Sequence, residues 1–242
     1  MPADQIEITY LGHSSFRLAR ADGPVVLIDP WLAENPMCPE ALKGLDRADL
    51  VLVTHGHTDH LDRDIIDLLR RTGATMVAPA SVLEPLEIEA PDLKFEDMGK
   101  GGNLDLRGVR ITMTDAVHSA WMQGPDGRMT QPHETAGFVV HFGDVAIYHA
   151  GDTAVFSDMA LIGRLYRPRV ALLPIGDRYT MGPREAAVAA ELVGAPVVVP
   201  MHFATFPILT GTPEAFEAAL ALVKGVRMRE MRPGETATVA AL

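Results

Sequence analysis

His55-Gly56-His57-Thr58-Asp59-His60 puts four candidate metal ligands into six residues, directly behind the run Asp49-Leu50-Val51-Leu52-Val53-Thr54. That run is apolar, partly β-branched and bounded by polar residues, the pattern of a buried strand. The ligands therefore fall where a strand ends and a helix begins. Such a place aims several side chains at one point without bending a regular element. Imidazoles favour borderline metals such as zinc, while carboxylates add charge and accept harder ions such as manganese.

A metal centre needs partners from elsewhere, and three more candidates each close a strand-like run. His118 follows residues 109–117, Asp152 follows 145–151, and His202 follows 196–201. Seven side chains from four strand ends are enough for two metals with positions left open for water. Taken singly, His118 and His202 read as ordinary core or surface histidines, and Asp152 as a turn residue after Gly151. They become candidate ligands because the 55–60 cluster demands partners.

These residues resemble the metallo-β-lactamase fold superfamily of binuclear metal hydrolases, whose ligand series they match in order and rough spacing. The resemblance runs from Ile8 to about Arg232. Within the superfamily the chain is most similar to a family of metal-dependent hydrolases near the L-ascorbate-6-phosphate lactonases. The stretches that carry this are Tyr10-Leu11-Gly12-His13-Ser14-Ser15-Phe16, Tyr148-His149-Ala150-Gly151-Asp152-Thr153, Leu173-Pro174-Ile175-Gly176-Asp177, Thr180-Met181-Gly182-Pro183 and Pro200-Met201-His202-Phe203. The resemblance implies a four-layer αββα sandwich and two divalent ions. His55, His57 and His118 would hold one ion, Asp59, His60 and His202 the other, and Asp152 would bridge them. The segment 122–135 is longer or more irregular than the family pattern leads one to expect, which bears on pocket shape.

On that reading the metals lie about 3.5–4 Å apart, and a bridging hydroxide formed near neutral pH is the nucleophile. Asp152 and Asp59 are then the catalytic carboxylates, with Asp59 also orienting the hydroxide. Zinc is the first expectation, and mixed His/Asp ligation also accepts manganese, iron or nickel. His13 sits in a turn between two strands, where a role beside the metals or substrate and a plain turn role weigh equally. His149 reads as a buried, hydrogen-bonded support. Asp177 and Asp29 could each orient a ligating histidine or merely end a strand. Arg178 is a cation near a candidate active loop, suited to a phosphate or carboxylate.

The 242 residues suit one domain over 1–242, with 48% hydrophobic and 22% charged residues. A net charge of −11 argues against a nucleic-acid surface and against anionic lipid. The single cysteine, Cys38, excludes an internal disulfide and suits a reducing, cytoplasmic compartment. The first residues lack the basic start and apolar stretch of a signal peptide, and no apolar run is long enough to span a bilayer.

Strand-like and helix-like runs alternate, which by pattern alone means α/β or α+β. Strands are expected at 6–10, 15–19, 25–28, 75–78, 136–142, 145–148, 170–173 and 227–231. Helices are expected from about 62 to before Gly73, at 157–165 with Ser157 as N-cap, at 183–193, and from 212 to about 223. Residues 84–92 read as turn-rich or short helix, and 99–103 as a turn. The apolar stretch 186–190 could serve a homo-oligomer or face the core.

Three functions fit. The first is hydrolysis of a small ester-like molecule, a lactone among them. The second is phosphodiesterase or nuclease action on the same metals, which the acidic balance disfavours. The third is a non-catalytic metal-binding protein, which the complete ligand set disfavours. An iron redox variant of the superfamily usually carries a flavin domain, for which this chain has no room.

Overall fold

The apolar strands alternate between two buried environments, and that alternation builds the layers. The computed structural model describes residues 5–122 and 133–242; most of the irregular 122–135 segment lies outside them. The first half runs β1 (Ile6–Gly12), β2 (Ser15–Arg20), β3 (Val25–Ile28), α1 (Glu40–Lys43), β4 (Leu50–Leu52), α2 (Ile65–Thr72), β5 (Thr75–Pro79), α3 (Ala80–Glu89) and β6 (Lys94–Met98). It continues with β7 (Asn103–Leu106), β8 (Val109–Asp115), β9 (Ala136–Phe142), β10 (Val145–His149), α4 (Met159–Tyr166), β11 (Val170–Pro174), α5 (Pro183–Val193), β12 (Val197–Met201), α6 (Pro213–Leu220), β13 (Arg227–Met228) and β14 (Thr236–Thr238).

Two seven-stranded sheets result, ordered β14-β1-β2-β3-β4-β5-β6 and β13-β12-β11-β10-β9-β8-β7. Leu50 and Leu52 turn into the core between the sheets, against Val26, Ile28, Phe138, Val140, Val170, Leu172 and Val199. Val51 and Val53 turn outward onto Ile65, Leu68 and Leu69 of α2 and Val82 and Leu83 of α3. On the other sheet Ala171, Leu173 and Val198 face Met159, Ile162, Ala186, Ala190 and Phe216 of α4, α5 and α6. Because successive side chains leave opposite faces and both faces are covered, these strands are apolar throughout. The product is the helix–sheet–sheet–helix sandwich.

Sheet direction decides where the site falls. β1 is antiparallel to β2, and β2 to β3, so β1 and β3 share a direction, which β4 continues by parallel pairing. In the second sheet β8, β10 and β12 share a direction for the same reason. The backbone N–H of His202, after β12, donates to the carbonyl of His13, after β1, at 2.9 Å. The C-terminal ends of both sheets therefore meet along one edge, and every candidate ligand lies there.

Some elements depart from the sequence expectation. Residues 80–89 form a helix despite Pro85, because Val82, Leu83 and Leu86 bury against the first sheet; burial there outweighs the proline penalty. The helix at 159–166 takes Asp158 as its N-cap, while Ser157 Oγ bonds the Asp158 carboxylate at 3.1 Å. α6 stops at Leu220, and the strand expected at 227–231 is only two residues long. The 186–190 stretch faces the core, with Ala186, Ala187, Ala189 and Ala190 buried and Val188 exposed. No helix among the described residues is long and apolar enough to cross a membrane.

Candidate metal centre

Three of the residues that shape the centre hold left-handed backbone: His13 at φ 58°, Asp29 at 46° and His202 at 54°. Such conformations are uncommon outside glycine and gather where side chains are held for function. Gly12 and Gly151 make two of the sharp entries. A Cβ on Gly12 (φ +103°) would stand 2.7 Å from Met37 Cβ, and one on Gly151 (φ +64°) 2.4 Å from the Ala136 carbonyl. Neither position accepts a side chain, so the chain can turn directly into His13 and Asp152.

His55, His57 and His118 form the first group. His57 Nδ1 lies 3.0 Å from His55 Nε2 and 3.4 Å from His118 Nε2. Three imidazole nitrogens so close fit a shared cation. The second group is Asp59, His60 and His202 with His13, whose ligand atoms all lie within 4.8 Å of one another.

Asp152, 3% exposed, stands between the groups. Its Oδ1 is 3.2 Å from His60 Nε2, and its Oδ2 is 3.0 Å from His202 Nε2, 3.8 Å from His118 Nε2 and 4.0 Å from His55 Nε2. His60 Nε2 and Asp152 Oδ1 are buried and make no properly oriented hydrogen bond. Polar atoms buried in this state are rare unless something else satisfies them, and a divalent cation fits both. All seven ligand candidates thus converge.

Outer hydrogen bonds set the tautomers. Asp29, fully buried, accepts from His60 Nδ1 at 2.8 Å and from Thr54 through its amide and hydroxyl, each at 2.7 Å. Thr54 Oγ1, its proton given to Asp29, accepts from His55 Nδ1 at 3.0 Å. His55, and His60 in its neutral form, are left with bare Nε2 atoms aimed inward, the arrangement that orients metal-binding imidazoles. His149 donates from Nε2 to the Ser14 carbonyl at 2.9 Å and accepts at Nδ1 from the Gly151 amide at 3.1 Å. It thereby ties the His13 turn to the Asp152 loop. Asp177 and Arg178 are exposed and outside the cluster. Asp177 turns its carboxylate to Thr210 and to the Arg178 amide, and the Arg178 guanidinium lies over Tyr179 at 6.0 Å.

Charge follows this wiring. Burial lowers the pKa of His55 well below the usual value, and lowers His57 and His13 to about 4. Burial also pushes His60 down, but the Asp152 and Asp29 carboxylates outweigh it and hold His60 well above 6.5. Asp59 and Asp152 are pushed up by burial, yet their histidine neighbours hold both well below the carboxylate range.

The sign for stability differs between these histidines. His13 and His57 bind protons between pH 4 and 6.5 only when unfolded, so they favour folding increasingly as pH rises through that window. His60 keeps its proton above 6.5 only when folded, so its contribution is complete below 6.5 and is lost as pH rises through its folded value. Melting temperature of chelated protein is expected to rise from about pH 4, peak near 6.5 and then decline. Added metal, which needs neutral His60, reverses the upper limb. A melting temperature flat across both windows would contradict this charge assignment.

Aromatic side chains that sequence reading did not single out rim the centre. Trp121, 40% exposed, lies 5.3 Å from the His57 ring. Phe206, 38% exposed, lies 5.7 Å from the His13 ring and stacks on Trp31 at 6.0 Å. No motif marks them, since loops following different strands bring them together.

A family model described as a beta-lactamase superfamily domain matches residues 25–203. The chain is 49% identical over 230 residues to a UPF0173 metal-dependent hydrolase of Rubrobacter xylanophilus, covering 94% of each. It is 41% identical over 231 residues to one from Methanosarcina mazei, covering 96% of this chain and 97% of the relative. Igni18, a metallo hydrolase from the archaeon Ignicoccus hospitalis, matches in structure with a TM-score of 0.80 at 35% identity, over 96% of this chain and 97% of the other. An isothiocyanate hydrolase from Delia radicum gut bacteria matches in fold, with a TM-score of 0.72 at 21% identity over 96% and 98% of the two chains. The chain belongs to the UPF0173 metal-dependent hydrolases of the β-lactamase superfamily, and its fold is that of the metallo-β-lactamases.

Proposed function

We propose that this metal-dependent hydrolase cleaves a small ester-like molecule, with lactones foremost, at a binuclear centre bridged by Asp152. The observation that carries the reading is the placement of the Asp152 oxygens, Oδ1 toward His60 and Oδ2 toward His202, His118 and His55. His55, His57 and His118 would hold one ion, and Asp59, His60 and His202 the other. Zinc is the first assignment, with manganese, iron or nickel as alternatives. Two ions held there would lower the pKa of bound water toward neutral and polarise the substrate's carbonyl oxygen, making its carbon more electrophilic.

The chain's own residues do the rest. Asp59, ionised and 26% exposed, is the more accessible site carboxylate, placed to orient water or to take its proton. Asp29 and Thr54 fix the imidazoles of His60 and His55. Trp121 and the Phe206–Trp31 pair offer apolar contact on two sides, which suits a neutral substrate carrying an apolar group. A small-molecule substrate accords with the acidic balance of the chain, and the buried Cys38 suits a reducing, cytoplasmic setting.

The test is hydrolysis by zinc- and manganese-loaded protein of matched neutral lactones, phosphorylated lactones and phosphodiesters. Apolar lactones are expected to turn over fastest. Phe206→Ala should raise KM for the apolar member about tenfold with kcat and metal content kept, as lost apolar contact predicts. Faster turnover of phosphodiesters would move the assignment to the phosphodiesterase reading. Full metal loading with no turnover across the panel would move it to a metal-binding protein.

A further inference from the structure

We infer that His13 is itself a metal donor, ligating through Nε2 beside Asp59, His60 and His202. The inference rests on the binuclear reading and adds to it a donor outside the seven-residue series.

Its basis is a repeated local design. His55, a member of that series, gives its Nδ1 proton to a threonine hydroxyl whose own proton goes to Asp29. His13 has the same wiring from a distant loop. Its Nδ1 lies 2.8 Å from Thr205 Oγ1, and that hydroxyl reaches the Phe203 carbonyl at 3.3 Å and Met37 Sδ at 2.9 Å. A hydroxyl that directs its proton to a carbonyl accepts from the imidazole. With the Thr205 proton so directed, the His13 proton is on Nδ1 and the Nε2 lone pair faces inward.

Nε2 then stands 3.2 Å from Asp59 Oδ2, one acceptor against another, which a cation between them reconciles. The ring is fully buried and 4.1 Å, centroid to centroid, from the His202 ring. Nor is it free to swing away. The His13 carbonyl is held by the Tyr10 hydroxyl at 3.0 Å and by the His202 amide at 2.9 Å. The turn that delivers it is left-handed at both Gly12 and His13. The second position would thus have four donors of its own besides Asp152, against three at the first. The more open position is the one bordered by Trp121.

The competing account is that His13 donates a hydrogen bond to Asp59 and touches no metal. Cobalt(II) separates the two, read on the full chain by titration, visible absorption and proton NMR. Wild type should take up two ions and show one contact-shifted exchangeable N–H resonance for each ligated imidazole that keeps a proton. His13→Gln should keep the first ion, lose one such resonance, change the absorption of the second ion and weaken its binding at least about 100-fold, more than an outer-sphere change usually costs. Unchanged absorption with no resonance lost would overturn the inference while leaving the binuclear reading intact. Uptake of fewer than two ions by wild type would instead overturn that reading. Should His13→Gln fail to keep its first ion, Thr205→Val asks the same question. Second-ion affinity about tenfold weaker with the first unchanged is expected, and no change in either overturns the inference.

Discussion

Asp152→Ala is expected to strip most of the bound metal and to lower kcat/KM at least about 10³-fold, beyond the 10- to 100-fold that loss of an outer-sphere partner costs. Among the described residues, Asp152 is the carboxylate shared by both histidine groups, with one oxygen toward His60 and the other toward His202, His118 and His55. On the binuclear reading, removing a residue such as His118 would take a donor from one position, whereas removing Asp152 would take one from both. It also removes the buried negative charge among these imidazoles, so metal charge there would lose its compensation. Elemental analysis after gel filtration and initial rates on the same sample measure both effects. A variant that keeps two ions per chain and a tenth or more of the activity would show that Asp152 does not bridge.

Why the sequence singles out Asp152 as a candidate, and other residues of the cluster less so, follows from what holds each in place. The candidate ligand series sits at strand ends, and buried strands announce themselves by apolar runs such as Leu50-Val51-Leu52-Val53. Their alternation between the inter-sheet core and α2 and α3 is a local property of the chain. Edge strands lack that signal. β6 reads Lys94-Phe95-Glu96-Asp97-Met98 and is mostly exposed, while β14 is three residues long. Their pairing comes from neighbouring strands rather than from their own pattern. Supporting residues divide in the same way. Thr54 adjoins the cluster it supports, but Thr205 lies 192 positions from His13. Asp29 and Asp177 look alike as strand-end aspartates. β3 pairs with β4, which brings Asp29 against Thr54 and His60. Asp177 lies three residues beyond β11 and is turned to Thr210. Strand adjacency separates the two, and adjacency is a property of the assembled sheet.

Asp29→Ala is the second large effect, and it should act on folding and on metal affinity together. The substitution leaves the Thr54 amide, the Thr54 hydroxyl and His60 Nδ1 without their acceptor in a fully buried place. Unsatisfied buried donors cost about 1–3 kcal/mol each and such costs do not simply add, so a loss of about 3–5 kcal/mol is expected. That is a large part of the roughly 5–15 kcal/mol that holds a domain folded. Asp29→Asn keeps the shape, and asparagine tolerates the left-handed φ of 46°, so the folded variant can be assayed. Its amide nitrogen must face a donor that the carboxylate accepted. With that nitrogen at the Oδ2 position the Nδ1–H tautomer of His60 loses its fixing partner, and through Thr54 so does that of His55; with it at Oδ1 the clash falls on the Thr54 amide, and a neutral oxygen holds His60 less strongly than the carboxylate did. Metal affinity should fall about 10- to 100-fold in Asp29→Asn. Denaturant unfolding of chelated protein reads the first effect and zinc competition titration the second. If Asp29→Asn unfolds more easily yet binds zinc as tightly as wild type, Asp29 serves the sheet edge alone and the imidazoles are oriented by the metals themselves.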